Sequence, residues 1–267
     1  DGANVIAVLD NDFATNSTIY AGSSLNTSGI KRATGTATTS TWKQIDDDVN
    51  SLIVNGLSQG ADGTLYAASG TAAKGIRRSL DPLTVVSTVA PATAPTFESM
   101  TGTVGTINTA DYHDFKLTSS TKSPNAVLIN LSLIPGSNVL YAIDTGYLEP
   151  SAAASKYGYT GRLIGIKDTL TMGPALSSPA SGAQLTTTTT AKLAWDAVAT
   201  GDTYTVAVNT ADTFATATAA TLGTINDVTR KVTATTTAGK SYYWRVRTLN
   251  PLRSSWSTVG TFTTSLG

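Results

Sequence analysis

The sequence predicts an all-β protein of two units, a β-repeat unit over residues 1–173 followed by a β-sandwich over residues 174–267. Three observations predict it. Short segments of strict apolar–polar alternation recur between turn residues, most regularly in the C-terminal third. A tyrosine-centred motif returns after 46 positions, at Tyr20 and Tyr66. Threonine makes up roughly one residue in six, and β-branched Thr favours strands while giving them a polar, uncharged outer face.

Composition supports a folded chain and narrows its partners. The apolar fraction of 40% in 267 residues can supply a sizeable core. Charged residues are only 13%, with 18 basic against 18 acidic, about half the usual share. A nucleic-acid binder needs a basic patch, which this balance does not offer, and membrane binding lacks support for the same reason. No stretch reaches the roughly 18 apolar residues of a membrane span. The absence of Cys removes disulfides, thiolate catalysis and zinc–cysteine sites. A Thr-rich, charge-poor surface suits an extracellular or cell-surface protein of a prokaryote. The start at Asp1 rather than Met suggests a processed precursor or a fragment.

Pro174, Pro179, Gly173 and Gly182 in "MGPALSSPASGAQL" mark a linker and the entry of the second unit. Beyond it, Ala191, Leu193, Trp195 and Ala197 share one face of "AKLAWDAV", as do Tyr204, Val206 and Val208 in "DTYTVAVN". In "SYYWRVRTLN" Tyr242, Trp244 and Val246 point inward while Tyr243, Arg245 and Arg247 point outward, and "TVGTFTT" closes with Phe262 inward. Period two means half-buried strands, and their number fits a sandwich whose core is Trp195, Tyr204, Tyr242, Trp244 and Phe262. Trp256, after the turn at Pro251, is placed to lie over Arg245 or Arg247, or else at the rim of the core.

These residues carry a family resemblance. The run "AKLAWDAV…DTYTVAVN…AGKSYYWRVRTLNPLRSSWSTVGTFTT" resembles a fibronectin type III domain, with Trp195 at the core tryptophan of the second strand and Tyr242 at the tyrosine-corner position. The resemblance implies a seven-stranded sandwich serving as spacer or adhesive module, without shared catalytic residues.

The first unit repeats itself. "STIYAGSSLNTSGIKRATGTATTSTWKQI" (17–45) and "GTLYAASGTAAKGIRRSLDPLTVVSTV" (63–89) share an aliphatic-Tyr-Ala start, a Gly/Ser-rich turn and a Gly-Ile-basic-Arg strand. A looser copy, "SNVLYAIDTGYLEPSAAASKYGYTGRLIGIKDTL", puts Tyr141 in the tyrosine slot. A period of roughly 40 to 50 residues with several short strands suggests propeller-like blades, and a plain sandwich is the alternative. The units are similar to the repeats of sialidase-like and photosystem-assembly-like propellers. Ser79 and Asp81 match the Ser-x-Asp of the Asp box and Trp42 the closing aromatic, whereas Pro82 replaces a glycine and the first copy lacks the aspartate.

No catalytic constellation emerges, so the expectation is a non-enzymatic protein. The glycines and cations Lys74, Arg77 and Arg78 within 63–79 could suggest a phosphate cradle, but Gly-Lys-Ser/Thr is missing, and the repeat explains Leu65, Tyr66 and Ile76 as core. His113 is the only histidine, which excludes His-based triads and multi-histidine metal sites. Glu98, Glu149 and the run Asp46, Asp47, Asp48 are carboxylates available for glycoside hydrolysis, yet none stands in a recognisable motif. No cofactor is expected unless it is calcium, for which Asp10, Asp12, Asp46, Asp47 and Asp48 offer clustered oxygens without EF-hand spacing. Asn16, Asn26 and Asn130 head glycosylation sequons.

The expected role is a self-assembling extracellular structural subunit of a surface layer or filament. Weak charge repulsion and too few repeat units to close a ring point to a homo-oligomer or homopolymer. The alternatives are a carbohydrate-binding or hydrolase-associated module, with surface glycan as partner, and an adhesin.

Overall fold

The computed structural model describes residues 4–24, 29–35, 41–46, 52–69, 75–86, 94–100, 128–134, 137–148, 159–168, 170–198, 203–214, 220–225, 230–250 and 252–267. The described residues are all-β apart from one helical turn, and the chain forms two compact units. The first comprises Asp1–Thr103 with Ile107–Asp168; the second comprises Val104–Thr106 with Thr169–Gly267, beginning just ahead of the Gly173–Pro174 linker.

The described residues of the first unit form three antiparallel sheets. One contains β1 (Val5–Leu9), β2 (Thr18–Ser23), β3 (Ile30–Thr34) and β4 (Lys43–Gln44) in sequence order, with the turn α1 (Phe13–Asn16) between β1 and β2. The next repeats that meander with β5 (Val54–Gln59), β6 (Leu65–Ser69), β7 (Ile76–Ser79) and β8 (Glu98–Ser99). The third has β9 (Leu128–Leu133), β10 (Val139–Leu148) and β11 (Tyr159–Lys167), in the order β11-β10-β9.

The repeated sequence folds into repeated register. In the first sheet Tyr20 lies between Val8 and Arg32, and Gly22 between Ile6 and Ile30. In the second, Tyr66 lies between Ser58 and Arg78, and Ala68 between Gly56 and Ile76. Because side chains alternate across a strand, this tyrosine face opposes a second face. That second face carries Leu9, Ile19 and Ala33 in one row and Ala7, Ala21 and Lys31 in the next. Its counterpart in the second sheet carries Gln59, Leu65 and Ser79, then Leu57, Ala67 and Arg77.

The sheets stack face on face. Tyr20 and Ile30 from the tyrosine face of the first sheet share a buried core with Leu57, Leu65 and Ala67 from the second face of its neighbour. Gly22 lies so close to Val54 that a methyl group there would collide with it. The tyrosine face of the second sheet packs on the third, where Gly56 abuts Leu131 and an added Cβ would stand 2.5 Å from the Leu131 nitrogen. β1 and β2 pack on β5 just as β5 and β6 pack on β9. Among the described residues no sheet closes into a barrel, and three sheets fall short of the four blades a closed propeller needs. The phosphate-cradle segment is the β6–β7 hairpin, with Leu65, Tyr66, Ile76 and Arg78 fully buried; Lys74 lies outside the described residues.

The second unit is a sandwich. Its strands are β12 (Leu176–Ser178), β13 (Ala183–Leu185), β14 (Thr190–Trp195), β15 (Thr203–Asn209), β16 (Ala220–Ile225), β17 (Lys231–Thr235), β18 (Ser241–Asn250) and β19 (Gly260–Thr264). One sheet runs β12-β14-β17 and the other β13-β19-β18-β15-β16, with β13 parallel to β19. Trp195, Tyr204, Tyr242, Trp244 and Phe262 all lie in one buried cluster with Leu193, Val206 and Val246. Trp195 meets Tyr204 edge-on at 5.3 Å, and Tyr242 stacks on Phe262 at 5.3 Å.

Candidate functional site

Polar chemistry in the first unit is concentrated where one sheet meets the next. The Tyr20 hydroxyl donates to Asp10 (2.8 Å), which follows β1 directly. Asp10 also accepts from the side chains of Asn16 (2.7 Å) and Gln59 (2.9 Å) and from the Asp12 N–H (3.0 Å). Burial alone would push this carboxyl up, but the bonds from Gln59, Asn16, Tyr20 and Asp12 outweigh it and hold the group below its usual range. Burial, reinforced by Asp10, pushes the Tyr20 hydroxyl up. The second sheet repeats the device with a distant acid: Tyr66 donates to Asp168 (3.0 Å), and burial and Asp168 together push Tyr66 up. The equivalent arginines also reach the neighbouring sheet. Arg32 donates to the carbonyls of Pro82 and Thr84 (2.5 and 3.1 Å), and Arg78 to Asp168 (2.8 Å).

The sequence candidates fall into this framework unevenly. Glu98 pairs with Arg78 at 3.2 Å. Glu149, His113, Asp47, Asp48 and Asn26 lie outside the described residues. Asp12 is exposed, and the Asp10 oxygens are occupied by four donors. Asp46 is 9% exposed, and its oxygens make no well-formed hydrogen bond, although Gln44, the Ile30 backbone and Arg77 are near enough to favour its charge. Burial wins there and raises the Asp46 carboxyl above its usual range. Among the described residues no three His, Cys, Asp or Glu side chains are grouped to hold a metal. Asn16 spends its amide on Asp10 and Thr18, whereas Asn130 is exposed on β9. Asp81 ties the β7–β8 turn, accepting from Ser79 (3.1 Å) and the Thr96 N–H (3.0 Å); Trp42 is largely exposed before β4.

A cleft of about 460 Å³ lies between the turns of the first two sheets, lined by Asp10, Asn11, Asp12, Gln59, Asp62 and Asp81 among others. Arginine and lysine are absent from its described lining, so its potential is negative and its groups are chiefly hydrogen-bond acceptors.

Strand β1 is the most unusual surface feature. Its sequence VIAVL is wholly apolar, yet Val5 is 70% and Leu9 55% exposed. The bonds Asp10 N–H to Thr18 C=O and Ser24 N–H to Asn4 C=O set the alternation of the ladder. By that alternation Val5, Ala7 and Leu9 turn their backbone groups away from β2. β1 is an edge strand, and it carries no charge, proline or bulge of the kind that usually protects an edge.

On the sandwich, Arg245 and Arg247 stand opposite Ala207 and Thr205. Arg245 lies 4.1 Å from the Phe214 ring centroid and 4.3 Å from that of Trp256, and Arg247 lies 4.5 Å from Trp256. Serines hold the Trp256 segment against β18: Ser257 and Ser254 hydroxyls accept the N–H groups of Val246 and Thr248, at 3.0 Å each. The arginine stems flank Ala207 and Thr205, so β15 is buried along its whole length, where period-two alternation predicts half-burial.

One further bond marks the entry to β18. The Tyr242 hydroxyl accepts the Thr237 N–H at 2.7 Å, a tyrosine corner at the entry to β18. The C-terminal unit is a two-sheet β-sandwich with a tyrosine corner. Against known proteins, neither a family model nor a curated sequence matches the chain. Among solved structures it is similar to FN3tt, at 17% identity and TM-score 0.26, over 36% of this chain and 99% of that one. It is similar to the FN1-FN3 domains of chicken CNTN1 at 10% identity and TM-score 0.27, over 48% and 42% of the two chains. The extracellular domain of a hybrid two component system from B. thetaiotaomicron matches 97% of this chain at 10% identity and TM-score 0.28. This chain spans about a third of that protein's length, 32%.

Proposed function

We propose that this chain is a non-enzymatic, extracellular structural protein, a self-assembling subunit of a prokaryotic surface layer or filament in which the sandwich serves as spacer. The observation that carries the reading is β1, an edge strand of wholly apolar sequence with Val5 and Leu9 exposed on one face. Net charge of zero and sparse charges support it, because copies repel one another weakly. A surface rich in threonine and poor in charge supports the extracellular setting. No helix among the described residues is long and apolar enough to cross a membrane. Sedimentation across low and high salt, with negative-stain microscopy of the same samples, tests the proposal. Assembly that survives high salt is the expected result, and a clean monomer at high micromolar concentration sinks it.

A carbohydrate-binding or hydrolase-associated module, or an adhesin, is the second reading. The cleft with Asp62 and Asp81 favours it, since clustered carboxylates and amides accept bonds from sugar hydroxyls. Calorimetric titration with oligosaccharides distinguishes the two: saturable heat abolished by Asp62→Asn in a monomeric protein would shift the assignment.

A further inference from the structure

We propose that the two outer faces of the three-sheet stack are the complementary halves of a head-to-tail contact between copies of this chain. This rests on the self-assembly reading and specifies its geometry. Within the chain the tyrosine face of one sheet packs on the second face of the next, and this happens twice. Among the described residues the rule leaves two faces without a neighbouring sheet. At one end is the second face of the first sheet, with Val5, Ala7 and Leu9 exposed beside half-buried Ile19 and Ala21. At the other end is the tyrosine face of the third sheet. There Leu140 and Ala142 are buried on the side that carries Leu131, while Tyr141 and Ile143 point to the opposite side and are half-buried.

The match is one of chemistry as well as position. The second face of the second sheet, Leu57, Leu65 and Ala67, is covered by Tyr20 and Ile30. Its equivalents in the first sheet are Ala7, Ile19 and Ala21, so what fits over them is another tyrosine face. Tyr141 supplies one, paired to Ser132 on one side as Tyr66 is to Ser58. On its other side stands Gly165, where the earlier sheets have Arg32 and Arg78. The contact therefore has no arginine to bond across it; its centre is apolar, and the cations on the two faces are Lys31, paired to Ala21, and Lys167, one row away from Tyr141. Such a contact is heterologous, giving a ring if its rotation closes and a filament if it does not. Counting the sheets of the described residues, two copies stack six, within the four to eight blades of closed propellers.

The chain has no cysteine, which makes cross-linking a direct test. Ala7→Cys and Ile143→Cys proteins are prepared separately, mixed and oxidised. The mixture is expected to form cross-linked dimers about tenfold more readily than either protein alone, because apposition raises the effective concentration of the pair. Leu9→Asp, at an exposed position, is expected to convert the assembly to monomer with an unchanged circular dichroism spectrum. Ala7→Cys linking to itself as readily as to Ile143→Cys overturns the head-to-tail geometry while leaving self-assembly standing. An assembly indifferent to Leu9→Asp likewise overturns the surface assigned here. A wild-type monomer throughout overturns both this contact and the function it specifies.

Discussion

Arg78 and Asp168 lie 90 residues apart and form an ion pair in which one guanidinium nitrogen stands 2.9 and 2.8 Å from the two carboxylate oxygens, both side chains being closed to solvent. Glu98 and Tyr66 complete the cluster, so that the second sheet is bound to the residue that ends the third. A buried pair of this kind need not stabilise the fold relative to apolar residues, but breaking it leaves the fully buried Arg78 leaning on the partly exposed Glu98, 3.2 Å away.

Asp168→Asn should therefore destabilise the first unit by about 3 to 5 kcal/mol, a loss that paired apolar replacement at both positions partly restores. Urea unfolding of the single and double variants measures it. A coupling below about 0.5 kcal/mol in that cycle contradicts the assignment.

Asp46 should behave in the opposite way. Its folded carboxyl is raised above the unfolded value, so its proton is held more tightly in the folded state, and the cost of ionising it in place is present at neutral pH and disappears as pH falls. Asp46→Asn is expected to stabilise the protein at pH 7, by on the order of 1 kcal/mol, with the gain vanishing in acid. Thermal melts at several pH values report this. Destabilisation at pH 7 that calcium alone explains would instead make Asp46 a ligand.

Asp10 supplies the contrasting pH dependence. Its carboxyl is held below the unfolded value, so its contribution is fully present above the usual carboxylate range and is lost as pH falls through the depressed folded value. Asp10→Asn should flatten the acid limb of the stability curve and weaken the fold at pH 7 by about 1 to 3 kcal/mol, since Tyr20 and Gln59 lose an anionic acceptor. An acid limb identical to that of the wild type rules this out.

Much of this architecture was legible because it is local. The equivalence of Tyr20 with Tyr66 and of Ile30 with Ile76 follows from spacing, and the same pairs hold the same register in the sheets. The sandwich core was legible for a similar reason, since alternation places Trp244 and Val246 on one side of a strand whatever lies beyond it. What was not legible depends on distant partners. Nothing about Asp168 in "GIKDTL" announces that it neutralises Arg78 and accepts from Tyr66, because neither the separation nor the burial leaves a pattern in the chain. The full burial of β15 was equally hidden, arising from arginine and tryptophan side chains laid over its outer face.

Tyr242 offers the sharpest test of the C-terminal fold, because its two contributions separate by substitution. The ring stacks on Phe262 in the core, while the hydroxyl leaves that core to accept the Thr237 N–H. Tyr242→Phe retains the stacking and removes only the acceptor. Thr237 is exposed, so water can take over the N–H, and the cost should be about 1 kcal/mol. Tyr242→Ala also empties the core and should cost about 3 to 5 kcal/mol, as should Trp195→Ala, whose ring is likewise buried. Unfolding followed by tryptophan fluorescence reads this unit through Trp195, Trp244 and Trp256, or through Trp244 and Trp256 in the Trp195→Ala protein, while Trp42 reports on the first unit. Equal losses for Tyr242→Phe and Tyr242→Ala would mean that the corner bond, and not the packed ring, holds the entry to β18; no loss in either would remove Tyr242 from the core altogether.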